Sequence, residues 1–276
     1  MPSTCWPVRK RPADPEGRRG VSVPARVETA LVTGASSGIG EQFARQLSAR
    51  GHELILVARR GERLEELAGE LPGTAHVIPC DLASEAGALP DRVAALGLDV
   101  GLLVNNAGFG TYGHFVDIDP KRDADQVRVN CEAVVTLTHA FLPAMLERGR
   151  GGVIVVASTA GMQPLPYEVT YSASKAFALN FSEALNAELR GSGVRVMAVN
   201  PGPVPTEWQR VAGHDDVGVV PGEIPADQVV RESLEAYDRG RRSFIPGARM
   251  RWFMRVTRAP RSLQLRVAER LYRPGR

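Results

Sequence analysis

The residue types best suited to chemistry lie at 171–175, in the stretch YSASK. Tyr171 and Lys175 are four residues apart, so on a helix they share one face, a turn from each other. A phenol titrates near ~10 in water and is a poor acid–base group at neutral pH. A cation within ~4–6 Å favours its ionised form. Lysine is scarce: of 34 basic residues only Lys10, Lys121 and Lys175 are not arginine. An ammonium is a compact charge on a flexible stem, able to hydrogen-bond a sugar hydroxyl and still sit beside a phenol. The alternative is a solvated helix pair without a role. Ser158, thirteen residues upstream, ends the apolar run GGVIVVAS. A hydroxyl there can donate to a carbonyl oxygen while the tyrosine passes it a proton. Asn130 falls inside a long helical pattern, where asparagine is an indifferent helix former.

The elements that must position these groups are read from periodicity. Short apolar runs alternate with longer amphipathic ones from residue 27 onward. VETALVT, ELILVA, AHVIP, VGLLVNNAG, GGVIVVAS and VRVMAVNPG read as six buried strands, and SFIP as a short seventh. Helices are expected after each of the first five strands, the longest over about 120–148 and another over about 170–190. A further helix is expected over about 226–238. Residues 203–225, with four prolines and three glycines, read as loop. Alternating strands and helices predict an α/β doubly wound parallel sheet, a Rossmann fold, in a single domain with a C-terminal helical extension. The ends of the fourth and fifth strands then share the carboxyl edge, where open α/β sheets bind ligands.

The first strand runs into TGASSGIG, with glycines at 34, 38 and 40. Gly34 permits a sharp turn, Gly38 lets backbone approach a pyrophosphate, and Gly40 lets the helix pack on the sheet. The helix N-terminus offers free N–H groups to phosphate. A glycine-rich turn without a ligand is the alternative. The second strand ends in Arg59 and Arg60, where an acid would select NAD. Guanidinium groups there suit a 2′-phosphate, so NADP(H) is the expected cofactor, unless both arginines only cap a surface helix. Asp81 follows the third strand, placed either to meet adenine or to start a helix. The positive ring of an oxidised nicotinamide would further favour the Tyr171 phenolate.

Taken together, TGASSGIG, NNAG at 105–108, Asn130, Ser158, YSASK and NPGPVPT at 200–206 resemble the classical short-chain dehydrogenase/reductase family, in its order and spacing over about residues 27–247. The resemblance implies that Tyr171 is the acid–base group, that Lys175 lowers its pKa and holds the nicotinamide ribose, and that Ser158 polarises the substrate oxygen. Asn130 would support a proton relay. Ser36, Ser37 and Ile39 would join the three glycines in holding the cofactor. Asp81 and Leu82 would lie at the adenine, and Asn106, Ala107 and Gly108 along the cleft. Pro201, Gly202 and Val204 would shape the nicotinamide pocket, with Thr206 on the carboxamide. An interconversion of carbonyl and secondary alcohol is implied, on an apolar fatty-acyl or ring ketone. The rival readings are an inactive nucleotide-binding regulator and a membrane-peripheral lipid ketone reductase.

The composition, 43% hydrophobic and 24% charged, is that of a globular chain able to bury a core. Three scattered cysteines, Cys5, Cys80 and Cys131, give neither a disulfide framework nor metal spacing and suit a reducing cytosol. No signal peptide or spanning segment is expected, and residues 1–26 read as a disordered basic segment. Residues 239–276 carry twelve arginines and one acid. Within 248–276, Met250, Phe253 and Met254 share one helical face, and Leu263, Val267 and Leu271 another, on either side of Pro260. Such a basic amphipathic tail can dock on the acidic body or a neighbouring subunit, the favoured reading, or lie on an anionic membrane. Nucleic acid is not an expected partner, because the body is acidic. A homodimer or homotetramer is expected by resemblance. In the loop after the sixth strand, Trp208 and Val211 are candidates for an apolar substrate wall, and MQPLPYE at 162–168 for the facing rim. His214, Asp215 and Asp216 read as solvated; no metal is expected.

Overall fold

The computed structural model of the protein describes residues 28–207, 212, 223–256 and 260–274. The basic segment 1–26 lies outside the described residues, as do Trp208, Val211, His214, Asp215 and Asp216 of the substrate loop. Seven parallel strands form one sheet: β1 (Thr29–Thr33), β2 (Leu54–Ala58), β3 (Ala75–Pro79), β4 (Val100–Asn105), β5 (Gly151–Val156), β6 (Val194–Val199) and β7 (Ser243–Phe244). Their order is β3-β2-β1-β4-β5-β6-β7. The doubly wound α/β sheet expected from the alternating pattern is thus the fold.

The helices are α1 (Gly38–Ala49), α2 (Gly61–Glu70), α3 (Leu89–Ala94), α4 (Pro120–Val127), α5 (Ala133–Arg148), α6 (Val169–Glu188), α7 (Ala226–Asp238), α8 (Ala248–Val256) and α9 (Arg261–Leu271). They cover both faces of the sheet. Successive strand residues point to opposite faces, so β2 sends Ile55 and Val57 to one core and Leu54 and Leu56 to the other. The first core receives Leu137 and Met145 of α5; the second receives Phe43 and Leu47 of α1 with Val230 and Leu234 of α7. Burial on both faces is why the strands read as continuous apolar runs rather than alternating ones.

The region DLASEAGALPDRVAAL, which reads as a broken helix, is helical over Leu89–Ala94. One element departs from the expected pattern. The long helix over 120–148 is not uniform: Arg128–Glu132 forms a π-helical turn between α4 and α5. One extra residue in that turn breaks the regular i→i−4 ladder, a device often found at functional sites. The helical run Pro120–Arg148, of 29 residues, is long and apolar enough by composition to cross a membrane. It packs Val129, Val134, Leu137 and Met145 into the sheet core.

The turn after β5, a 3₁₀ segment over Thr159–Met162, lies directly on α6. A Cβ at Gly161 would sit 2.5 Å from the Lys175 backbone carbonyl, so only glycine permits this approach. Gly161→Ala is therefore expected to cost about 1–3 kcal/mol by overpacking, seen as a lower urea midpoint. An unchanged midpoint would mean that the turn is not pinned there.

Candidate active site

All the groups singled out for chemistry meet at the carboxyl edge of β1, β4, β5 and β6. β5 ends at Val156, and two residues later Ser158 caps the 3₁₀ turn, its hydroxyl oxygen accepting from the Ala160 N–H at 3.1 Å. The backbone of the β6 exit holds this turn: Thr159 N–H donates to Pro201 O at 2.9 Å. Tyr171 occupies the first turn of α6, buried, with the Ser158 hydroxyl near enough to lower its pKa. Lys175 lies one turn on and is also buried. Its ammonium donates to Val156 O at 2.8 Å and sits 5.9 Å from the centre of the Tyr171 ring.

The electrostatics differ from the simplest expectation. Burial pushes the Tyr171 phenol above its ordinary value; the Ser158 hydroxyl pulls it down, while Glu168 and Tyr272 push it up. An ammonium neighbour was expected to lower it, but the net shift is upward, with desolvation its largest cause. The same desolvation lowers Lys175 to about 8.

Asn130 sits in the π turn, buried. Its side-chain N–H donates to Ser174 Oγ at 2.9 Å and to Phe109 O at 3.0 Å, and its oxygen accepts from Phe109 N–H at 3.2 Å. It therefore ties α6 to the loop leaving β4. Asn130 Oδ1 and Lys175 Nζ both crowd Gly108, where a Cβ would lie 2.9 and 3.2 Å from them.

The glycine turn has the shape expected of a backbone cradle. Gly34 and Gly38 have φ of +67° and +57°, and a Cβ on Gly40 would lie 2.1 Å from Gly34 O. Asn106 braces the turn rather than facing outward, its side-chain N–H donating to Thr33 O at 2.9 Å. Thr206 packs over Gly38, its methyl 3.0 Å from the position of a Cβ there. Ser36, Ser37, Ile39, Leu82, Ala107 and Val204 border the same cavity, as do Pro201 and Gly202.

Arg59 and Arg60, both exposed, also border it but differ in their contacts. Arg60 is ion-paired to Glu207 at 2.9 Å and donates to Ser36 Oγ at 3.2 Å. Among the described residues, Arg59 has no ion pair. Asp81 performs local work: its side chain accepts from Ala83 N–H at 3.0 Å, the helix-start reading, while it still borders the cavity.

Three participants escaped the sequence reading, Gly161, Glu207 and Tyr272, and Glu168 was expected only as part of the MQPLPYE rim. Glu168 is 4% exposed and borders the cavity three residues before Tyr171. That spacing was a usable signal, because i and i+3 share a helical face. Tyr272 arrives from the tail, packed against Ala160, Leu165, Tyr171 and Ala268. The tail thus contacts the body at the catalytic mouth, and MQPLPYE supplies the facing rim through Gln163, Leu165 and Glu168.

A family model described as short chain dehydrogenase matches residues 28–216. The chain belongs to the short-chain dehydrogenase/reductase family. A very-long-chain 3-oxoacyl-CoA reductase of Anas platyrhynchos is 36% identical over 192 residues, 66% of this chain and 62% of that protein, so the match spans less than two thirds of the relative. An NADP-dependent 3-hydroxy acid dehydrogenase of Escherichia coli is 36% identical over 198 residues, 68% of this chain and 77% of that one. Among solved structures, a short-chain dehydrogenase from Sphingobium yanoikuyae in complex with NADPH superposes with a TM-score of 0.75 at 33% identity, covering 83% of this chain and 92% of that one.

The buried ammonium makes a testable statement about stability. Lys175 titrates at about 8 folded against 10.5 ordinarily, so in that window the unfolded chain holds a proton that the folded chain has lost. Stability from this residue is lowest below pH 8 and rises towards pH 10.5. Lys175→Met removes the charge and one hydrogen bond, and should stabilise the fold by about 2 kcal/mol at pH 7. The gain should shrink by pH 10 in paired urea melts. An equal gain at both pH values would contradict a desolvated ammonium.

Proposed function

We propose that the protein is an NADP(H)-dependent oxidoreductase that interconverts a carbonyl and a secondary alcohol. The observation that carries this reading is Ser158 and Tyr171 bordering one cavity, with a buried ammonium one turn from the phenol, on the same sheet edge as the glycine cradle. The side-chain-free surface at Gly34, Gly38 and Gly40 fits a pyrophosphate, which needs close backbone N–H groups. When bound, the reduced dinucleotide supplies the hydride that reaches the carbonyl carbon.

The chain's own residues supply the rest. Ser158 donates a hydrogen bond to the substrate oxygen and fixes its position. Tyr171 gives that oxygen its proton, completing the alcohol, and takes it back in the reverse direction. A phenol held above its ordinary value by burial stays protonated at neutral pH, which suits proton donation and hence reduction. Lys175 orients the nicotinamide ribose and steadies the phenolate left after transfer. Asn130 holds the loop at Phe109 against α6 and so keeps Gly108 at the cleft. Thr206, against Gly38, closes the cradle from the β6 side.

The preference for a 2′-phosphate is assigned to Arg59, since Arg60 already serves Glu207 and Ser36. Arg59→Ala should weaken NADPH binding about tenfold, the worth of one charge-assisted contact, and leave NADH nearly unchanged. Titration of coenzyme fluorescence measures both, and equal losses would shift the assignment elsewhere.

The inactive-regulator reading predicts the loss of Ser158, Tyr171 or Lys175, and all three are present. Purified protein with NADPH and a panel of aldehydes and ketones should oxidise the coenzyme. Tyr171→Phe should lower kcat by about 10²–10⁴ while still binding coenzyme. Retained turnover would reject the role given to the phenol.

A further inference from the structure

We propose that α8 and α9 form a two-sided docking element. One side packs on the body of the protein. The other is built to lie on an anionic lipid bilayer and sets the mouth of the cavity against it. The proposal does not depend on the assignment of Tyr171.

The inner side is accounted for by contacts. Met250 packs on Gly202, where a Cβ would meet its methyl at 2.7 Å. Arg251 donates to Glu232 at 2.9 Å and to Ile245 O at 2.9 Å. The Tyr112 hydroxyl donates to Tyr272 O at 2.9 Å, and that of Tyr167 to Glu269 at 3.3 Å. Ala268 and Tyr272 lie against Ala160, Leu165 and Tyr171. Both helices are thus fixed to the body by one side only.

The outer side carries apolar groups that the body does not cover. Trp252 is 67% exposed, Leu263 45%, Val267 48% and Leu271 75%. The last three are successive i,i+4 positions, so they form one stripe along α9. Single exposed apolar residues are ordinary, but a stripe of them with a tryptophan at the same cavity mouth marks an interaction surface. Tryptophan is at home at the headgroup level of a bilayer, with an apolar ring and a polar N–H.

The charges identify the occupant. Arg249, Arg255, Arg261, Arg266 and Arg270 are exposed. Among the described residues none of the five forms a salt bridge, whereas Arg251 pairs with Glu232 and Arg273 with Glu269. Arg266 and Arg270 follow Leu263 and Val267 by three positions and so flank the stripe. Residues 239–276 hold twelve arginines and one acid in a chain of net charge +3, so the rest of the chain is net negative. An anionic surface is therefore drawn to this side of the molecule and repelled by the others. An apolar stripe edged with arginine can sink to the acyl boundary while the guanidinium groups stay at the phosphates. Five charges spread over two helices suit a continuous sheet of phosphates better than a second copy of the chain, since the acids of the body take only Arg251.

The test uses the full chain and large unilamellar vesicles of phosphatidylcholine, with or without about one-third phosphatidylglycerol. Sedimentation should show at least about tenfold tighter binding to the anionic vesicles, and the difference should shrink as salt is raised. One arginine near the surface is worth up to about fivefold, so the triple variant Arg261→Gln, Arg266→Gln, Arg270→Gln should lose at least about tenfold. Leu271→Ser should weaken binding to the same vesicles. Lipids brominated on the acyl chain should quench tryptophan fluorescence in the parent, and Trp252→Phe should lose most of that quenching, which reports insertion and orientation together. Thermal melts establish that the variants fold; if one does not, the parent's lipid preference and the quenching decide. Equal binding to neutral and anionic vesicles, no quenching, or binding unmoved in folded variants would each overturn the proposal. A dimer that the triple variant abolishes, without vesicle binding by the parent, would overturn it in favour of a second copy.

Discussion

A single buried ammonium organises this molecule. Taking the charge of Lys175 out of water is costly, and the cost is tolerable only because Val156 O, at the end of β5, accepts from it. That bond joins the helix bearing the phenol to the strand leading to Ser158. Gly161 then lets the intervening turn settle on α6 at the same residue. The serine, tyrosine and lysine are therefore one mechanical unit.

Burial acts in opposite directions on the two titratable members of this unit. It disfavours charge on both, which raises the phenol and lowers the amine. The result is a protonated acid next to an amine near the middle of its titration range. Attraction between an ammonium and a phenolate, the effect first expected of YSASK, matters only once the proton has left. In that sense the lysine serves the product of proton transfer more than the resting acid.

Much of this was legible in the chain because it is local. Strand runs, the glycines at 34, 38 and 40, and the i,i+4 pair each declare themselves within a few residues. The π turn around Asn130 did not, since inserting one residue into a helix leaves the apolar pattern nearly intact. Nor did the Arg60–Glu207 pair, which joins positions 147 apart. Asn106 was expected along the cleft, and it does border it, but its amide is spent on Thr33 O. The tail shows the limit most clearly. Amphipathic faces at Met250 and Leu263 were visible, while the surface they address depended on Gly202, Tyr112 and Tyr167, far away in sequence.

The strand order carries a consequence for how the protein comes into being. β1 lies between β2 and β4, and each edge of β4 and β5 pairs with a strand separated from it by a whole helical crossover. Hairpins are absent from the described sheet, so no pair of neighbouring segments can assemble by itself at small entropic cost. The catalytic groups acquire their geometry only when the collapse reaches β6, whose exit holds the serine turn through Pro201. Competence for chemistry should thus arrive late and all at once, as a property of the completed architecture.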